Sequence, residues 1–160
     1  MNFEIKKLET EGEIICAIDL AKEVFMKFEA PIYPKEGTNS FLGFLYGENM
    51  RRMLLEKSIV FFGAFEENQL IGMCAVRDKN HISLFFVRES CQRRGVGRKL
   101  FYTISNFAKE NYNSKTFTVN SSPFGLPFYS AMGFIPTDME RIEDGITYTP
   151  MINVSSPAKA

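Results

Sequence analysis

His81-Ile-Ser-Leu-Phe-Phe-Val-Arg-Glu-Ser-Cys-Gln-Arg-Arg-Gly-Val-Gly-Arg-Lys-Leu100 reads, in order, as an almost wholly apolar strand, an arginine-rich turn with two glycines, and the opening of a helix. A strand so apolar belongs in the middle of a sheet, covered on both faces. A helix N-terminus leaves backbone N–H groups unpaired and carries partial positive charge, so it attracts phosphate oxygens where nothing bulky blocks approach. Gly95 and Gly97 are expected to supply that access. Residues 88–99 hold five cations (Arg88, Arg93, Arg94, Arg98, Lys99) and one acid, Glu89, in a chain whose 19 basic and 19 acidic residues cancel overall. Local rather than global charge points to a small polyanionic ligand, and the neutral total argues against nucleic acid or an anionic membrane as partner. Neither GxxxxGK[ST] nor GxGxxG is present, since Leu100 stands three residues after Gly97. Gly-Val-Gly alone serves equally well as a tight connection. The strand before it and the amphipathic helix after it favour the phosphate reading.

Working outward, the run at 3–8 alternates as a half-buried strand does. Ile14, Ile18, Ala21, Phe25 and Phe28 then form one apolar helical stripe. Two prolines and a glycine at 30–37 predict a loop, and Thr38, Asn39 or Ser40 is expected to cap a second helix reaching about Glu56, weakened by Gly43 and Gly47. Residues 58–65 and 69–77 read as a hairpin around Glu66-Glu67-Asn68. Val96, Leu100, Ile104 and Phe107 mark the buried face of the helix after the glycines, and 116–120 reads as a further strand. Ser122 and Pro123 are expected to open a short helix stopped by Gly133, with Pro127 distorting its first turn. Strands at 134–135 and 145–154 and a frayed tail at 155–160 complete the pattern.

Length and the absence of linkers or repeats predict one domain at 1–154. The mixed element order suggests a largely antiparallel sheet flanked by helices. Cys16, Cys74 and Cys91 are odd in number and far apart, with no CxxC pair, so neither a disulfide framework nor a metal site is expected. The first residues lack the apolar run of a secretion signal, and no window matches a membrane span, so a cytoplasmic protein is expected.

Gln92-Arg-Arg-Gly-Val-Gly97 resembles the Q/R-x-x-G-x-G/A signature of the GNAT superfamily of N-acetyltransferases, in which this loop binds the pyrophosphate of acetyl-CoA through backbone amides. Val119-Asn-Ser-Ser-Pro123, followed by Pro127-Phe-Tyr-Ser-Ala-Met-Gly-Phe134, resembles the second hallmark of that superfamily, a strand and short helix ending in FYxxxGF. The element order over 3–154 is compatible with it. The resemblance implies an α/β fold with a mixed, largely antiparallel sheet of about six to seven strands, about four helices, and splayed central strands. It also implies an acetyl-CoA donor. Its pyrophosphate would sit on amides from Gln92 to Gly97, including Gly95 and Val96, with added attraction from Arg93, Arg94 and Arg98. The pantetheine arm would pair with the main chain of Phe85, Phe86 and Val87, and Asn120 would bond a pantetheine amide or a water, although it also suits a turn.

Acetyl transfer to an amine needs a neutral amine, a polarised carbonyl and a proton donor for the departing thiolate. Tyr129 matches the family tyrosine beside the thioester sulfur. A phenol with a reference pKa of about 10 stays protonated at neutral pH, while the alternative is an amphipathic core residue. His81, the only histidine, begins the donor strand, where some family members place a base, and it also reads as a polar strand end. Tyr33 and Glu36, in the loop that lines the acceptor site in the family, are alternatives, as is a water chain. Cys91 has no partner base in the sequence and is read as a passive thiol. The expected reaction is direct attack of a small-molecule or peptide amine on the bound thioester, by a monomer or homodimer. A non-catalytic acyl-CoA-binding domain is the alternative.

Overall fold

The computed structural model describes residues 2–153, so Val154 of the expected last strand and the expected tail at 155–160 lie outside the described residues. After β1 (Glu4–Leu8), the helix α1 (Glu11–Phe28) starts on a reciprocal cap. Thr10 Oγ1 accepts from the Glu13 amide at 3.1 Å, and the Glu13 carboxylate accepts from the Thr10 amide at 3.2 Å. Those backbone bonds to Thr10 and Glu9 hold the Glu13 carboxyl down at about 2. At the other end, Pro31 cannot continue the helix, which leaves Glu29 as its C-cap, its N–H donating to the Phe25 carbonyl.

The expected loop at 30–37 is instead a 3-10 turn (Ala30–Ile32) followed by α2 (Lys35–Tyr46). Pro34 stands at the N-cap of α2, where a helix requires no N–H, so the helix begins three residues before the expected caps. The expected single helix to Glu56 is also divided. The backbone is extended at Gly47, where α3 (Glu48–Glu56) starts afresh, and a side chain is not tolerated there, since its Cβ would lie 2.3 Å from the Gly43 carbonyl oxygen.

The sheet then forms from β2 (Ile59–Glu66), β3 (Gln69–Arg77) and β4 (His81–Val87), joined antiparallel. The long helix α4 (Val96–Tyr112) carries the chain back to β5 (Phe117–Ser121), which runs parallel to β4, as a helical crossover allows. Residues 122–125 form a turn rather than the expected first helical residues, closed by the Gly125 amide donating to the Ser122 carbonyl and hydroxyl. The short α5 (Leu126–Ala131) follows, and Pro127 falls in its first turn, where its missing N–H distorts nothing. β6 (Ile135–Pro136), β7 (Arg141–Glu143) and β8 (Ile146–Asn153) close the fold. β7 is absent from the sequence reading because its three exposed residues carry no burial pattern. Strand order is β1-β2-β3-β4-β5-β8-β6, with β7 on β8. This is the mixed, mostly antiparallel α/β fold expected, with eight strands and, besides the six-residue α5, four helices among the described residues.

Both faces of the sheet are covered. Phe61, Met73 and Leu84 pack against α1 and its neighbours, together with Leu20, Phe25 and Leu45. Phe62, Cys74 and Ile82 pack on the opposite face with Leu100, Phe101 and Ile104 of α4 and with Tyr129. The change of face along β4 has a local cause. Ala75 pairs with Leu84 and Val76 with Ile82, so Ser83 is an extra residue with no partner in β3. Such a bulge bends its strand and increases its twist. β4 pairs with β5 only through His81–Thr118 and Ile82–Val119, and the pairing ends where the bulge begins.

Candidate active site

The parting of β4 from β5 opens a cavity of about 760 Å³, bounded by Ser83 to Val87 on one side and by Val119, Asn120, Ser122 and α5 on the other. Main-chain groups of β4 beyond Ile82 have no partner strand on the β5 side, the arrangement that lets an extended ligand add as another strand.

At one end lies the glycine turn. Arg93 (φ 63°) and Gly95 (φ 83°) are both left-handed, and Gly95 caps α4, so the first amides of that helix are free to meet an anion. A side chain at Gly95 would meet nothing within 4 Å, whereas one at Gly97 would come within 2.9 Å of the Phe128 ring. The two expected access glycines therefore differ. Gly95 keeps the approach open, and Gly97 lets α4 pack against Phe128 of α5. The loop is tied down by Gln92 Nε2, which donates to the Val87 carbonyl at 2.9 Å.

The cation cluster divides as well. Arg88 bonds both carboxylate oxygens of Glu23 and the Leu70 carbonyl, and Arg94 is ion-paired with Glu66. Lys99 lies over the Phe3 ring. Arg93 and Arg98 line the cavity, and neither forms a salt bridge among the described residues. Arg94 was expected beside the phosphates but lies outside the lining residues because Glu66 holds it. Val96 lies outside too, its side chain only 1% exposed in the core beneath the turn.

Tyr129 lines the cavity between edge-on rings of Phe85, Phe128 and Phe134, with centroids 6.2, 5.3 and 5.4 Å away. Burial, then the fields of Glu29 and Cys74, push its phenol above the usual range, so it stays protonated at any working pH. Phe85, Phe86, Val87, Gln92 and Asn120 line the same cavity, as does Cys91. His81 does not. It sits at the paired start of β4 with Nδ1 2.8 Å from Thr118 Oγ1, and burial, aided by Arg77, pulls it down to about 4. Tyr33 and Glu36 also lie outside the lining. The Tyr33 hydroxyl donates to the Thr147 carbonyl at 3.0 Å, and Ser40 donates to the Asp144 carbonyl, so this segment is fastened to the β7–β8 hairpin. The carboxylate that does line the cavity is Glu29, which sequence reasoning missed. Nothing in its local sequence marks it; it is brought there by the end of α1 meeting the Ser122 turn. Among the described residues no group of His, Cys, Asp and Glu could hold a metal, and no helix is long and apolar enough to cross a membrane.

The family model of the acetyltransferase (GNAT) domain matches residues 29–154. The chain belongs to this family. Solved structures agree in fold. The PaiA N-acetyltransferase of Thermoplasma acidophilum in complex with coenzyme A superposes with a TM-score of 0.76 at 21% identity, over 96% of this chain and 99% of that one. A GCN5-related N-acetyltransferase structure from Rhodopseudomonas palustris gives 0.78 at 15%, over 94% of each. FeeM, an N-acyl amino acid synthase from uncultured soil microbes, gives 0.71 at 16%, over 96% and 91%. No curated protein matches in sequence. GNAT membership makes acyl transfer from a CoA-type donor the chemistry to test this cavity against. The open Gly95 turn and the unpaired edge of β4 fit such a donor.

Proposed function

We propose that this GNAT protein transfers an acetyl group from acetyl-CoA to an amine by direct attack within a ternary complex. The observation that carries the reading is a single continuous cavity that joins the free amides at Gly95, the unpaired edge of β4 and the buried phenol of Tyr129. In this reading amides from Gln92 to Gly97 bind the pyrophosphate, with Arg93 and Arg98 adding charge. Main-chain groups of Phe85, Phe86 and Val87 pair with the pantetheine amides, and Asn120 faces them from β5. The nitrogen of the neutral amine bonds to the carbonyl carbon, the carbon–sulfur bond breaks, the thiolate takes the proton of Tyr129, and the proton lost by nitrogen returns to the phenol through water. Burial that raises the phenol also raises the basicity of a thiolate leaving against the same apolar wall, so donor and acceptor stay matched. His81, outside the cavity, has no part in these steps.

Calorimetric titration with CoA tests the donor site, and release of free thiol from acetyl-CoA on addition of primary amines tests the reaction. Binding without amine-dependent thiol release would make the protein a sensor of CoA rather than an enzyme.

A further inference from the structure

The geometry points to Glu29 as the group that binds the acceptor's ammonium and takes its proton, and to a primary amine carried on an apolar group as the acceptor. This assignment rests on the acyl-transfer reading above. Direct attack needs a lone pair on nitrogen, and most primary amines are protonated at neutral pH, so a base must stand in the cavity away from the phosphate end. Glu29 lines that cavity and is the one carboxylate among the described residues that does.

Its setting is built rather than incidental. Ser122, whose Oγ accepts from the Gly125 amide at 3.0 Å, lines the same cavity as Glu29 and acts on its carboxyl against the effect of burial. Burial raises this carboxyl to about 7, with the Ser122 bond opposing, and the negative end of α1 acts in the same direction as burial. A base of that strength is half ionised near neutrality, the range in which a general base works best. The titratable groups that feel its field are Tyr33, at the end of the 3-10 turn, and Tyr129 on α5; both phenols are pushed up and stay neutral, and Glu140 acts on Tyr33. The nearby Lys27 is paired with Glu89. Arg93 and Arg98 share the cavity at its phosphate end, and of the side chains only Ser122 acts on the Glu29 carboxyl against burial.

The acceptor's remainder is defined by the wall next to it. Phe124 lines the cavity yet is 45% exposed, and it stacks on Phe28 of α1 at 4.8 Å, one residue before Glu29. With Val24 it makes an apolar shelf beside the carboxylate. In the step, one ammonium proton passes to Glu29, the freed lone pair forms the N–C bond, and the C–S bond breaks with its electron pair on sulfur. The thiolate takes the Tyr129 proton, and the second proton lost by nitrogen returns to Tyr129 through water. Glu29 releases its own proton to solvent.

The test compares wild type with Glu29→Gln, using acetyl-CoA and 2-phenylethylamine and following free thiol from pH 5.5 to 9, beside calorimetry with CoA. The expected result is a loss of about 100-fold in kcat/KM in the variant, disappearance of the rising acid limb centred near 7, and CoA affinity within about two-fold of wild type. In parallel, a 13C-labelled glutamate carboxyl resonance titrating near 7 should be present in wild type and absent in Glu29→Gln. A variant that binds CoA and keeps both rate and acid limb overturns the assignment of Glu29 alone. Wild-type protein that binds no CoA overturns the donor site, and this assignment falls with it.

Discussion

The two ends of β4 are made from one run of sequence and do opposite things. At its start, His81 and Ile82 are paired to β5 and the one histidine is held neutral against Thr118. Past the bulge at Ser83 the same strand has lost that neighbour, and Ser83 to Val87 line a cavity that ends at the Gly95 turn. The difference is a matter of one residue. An extra backbone unit at Ser83 changes which face each later side chain meets and bends the strand away from β5, so binding capacity is created by a local failure of pairing.

The contrast is broken most severely at the open end. Gly95→Asp places a side chain on a left-handed residue and a negative charge where phosphate oxygens are expected, and it should weaken CoA binding by 100-fold or more, an estimate of about 3 kcal/mol for lost charge-assisted bonds and added repulsion. Calorimetry reads this directly. Because space at position 95 is open, the fold should survive, which circular dichroism checks. Undiminished affinity would move the anion site elsewhere.

Next in size is the middle of the cavity. Tyr129→Phe keeps the ring inside its aromatic cage and removes only the hydroxyl, so turnover should fall about 100-fold with CoA affinity nearly unchanged. Equal turnover by the two proteins would reduce Tyr129 to a packing residue. A fall in affinity without a fall in rate would instead make the hydroxyl a donor-binding group.

These two positions were legible in the sequence, whereas Glu29 was not, for a physical reason. A turn that exposes backbone amides needs glycine and must be followed at once by a helix, so the whole device lies within neighbouring residues. The segment around Tyr129 is likewise compact, since the phenol, Phe128 and Phe134 cage one another within a few positions. Glu29 acquires its character only when the end of α1 meets a turn nearly a hundred residues later, and no local pattern encodes that meeting. The cation cluster misled in the same way. Arg94 reads like its neighbours Arg93 and Arg98 until β2 delivers Glu66 to it. Pro34, expected in a loop, stands at the N-cap of a helix, and Pro127, expected to distort the first turn of its helix, is accommodated there.

The smallest effect on catalysis, and the sharpest use of the comparison, is expected at the closed end of β4. His81→Gln should leave thiol release at pH 8 within about two-fold of wild type, a margin of roughly 0.4 kcal/mol, because His81 does not line the cavity. Its effect should appear in stability instead. A histidine whose folded pKa is lowered to about 4 favours the neutral form, so its contribution is full above 6.5 and is lost as pH falls from 6.5 through 4. The loss is up to about 2 kcal/mol after allowance for its partial exposure. Glu29 has the opposite sign. An acid raised to about 7 contributes stability that is full below 4.5 and is lost as pH rises from there through 7. Between 4.5 and 6.5 the two therefore oppose each other, while Glu13, held at about 2, keeps its charge throughout. Thermal melts of wild type across this window should consequently look flatter than either group alone would make them. In Glu29→Gln the histidine's slope should emerge, with Tm rising from pH 4.5 to 6.5 and standing above wild type at pH 8. Adding His81→Gln should then flatten the profile again. If the slope persists in the double variant, the paired end of β4 is not its source, and the division of this strand into a structural half and a binding half fails on its structural side.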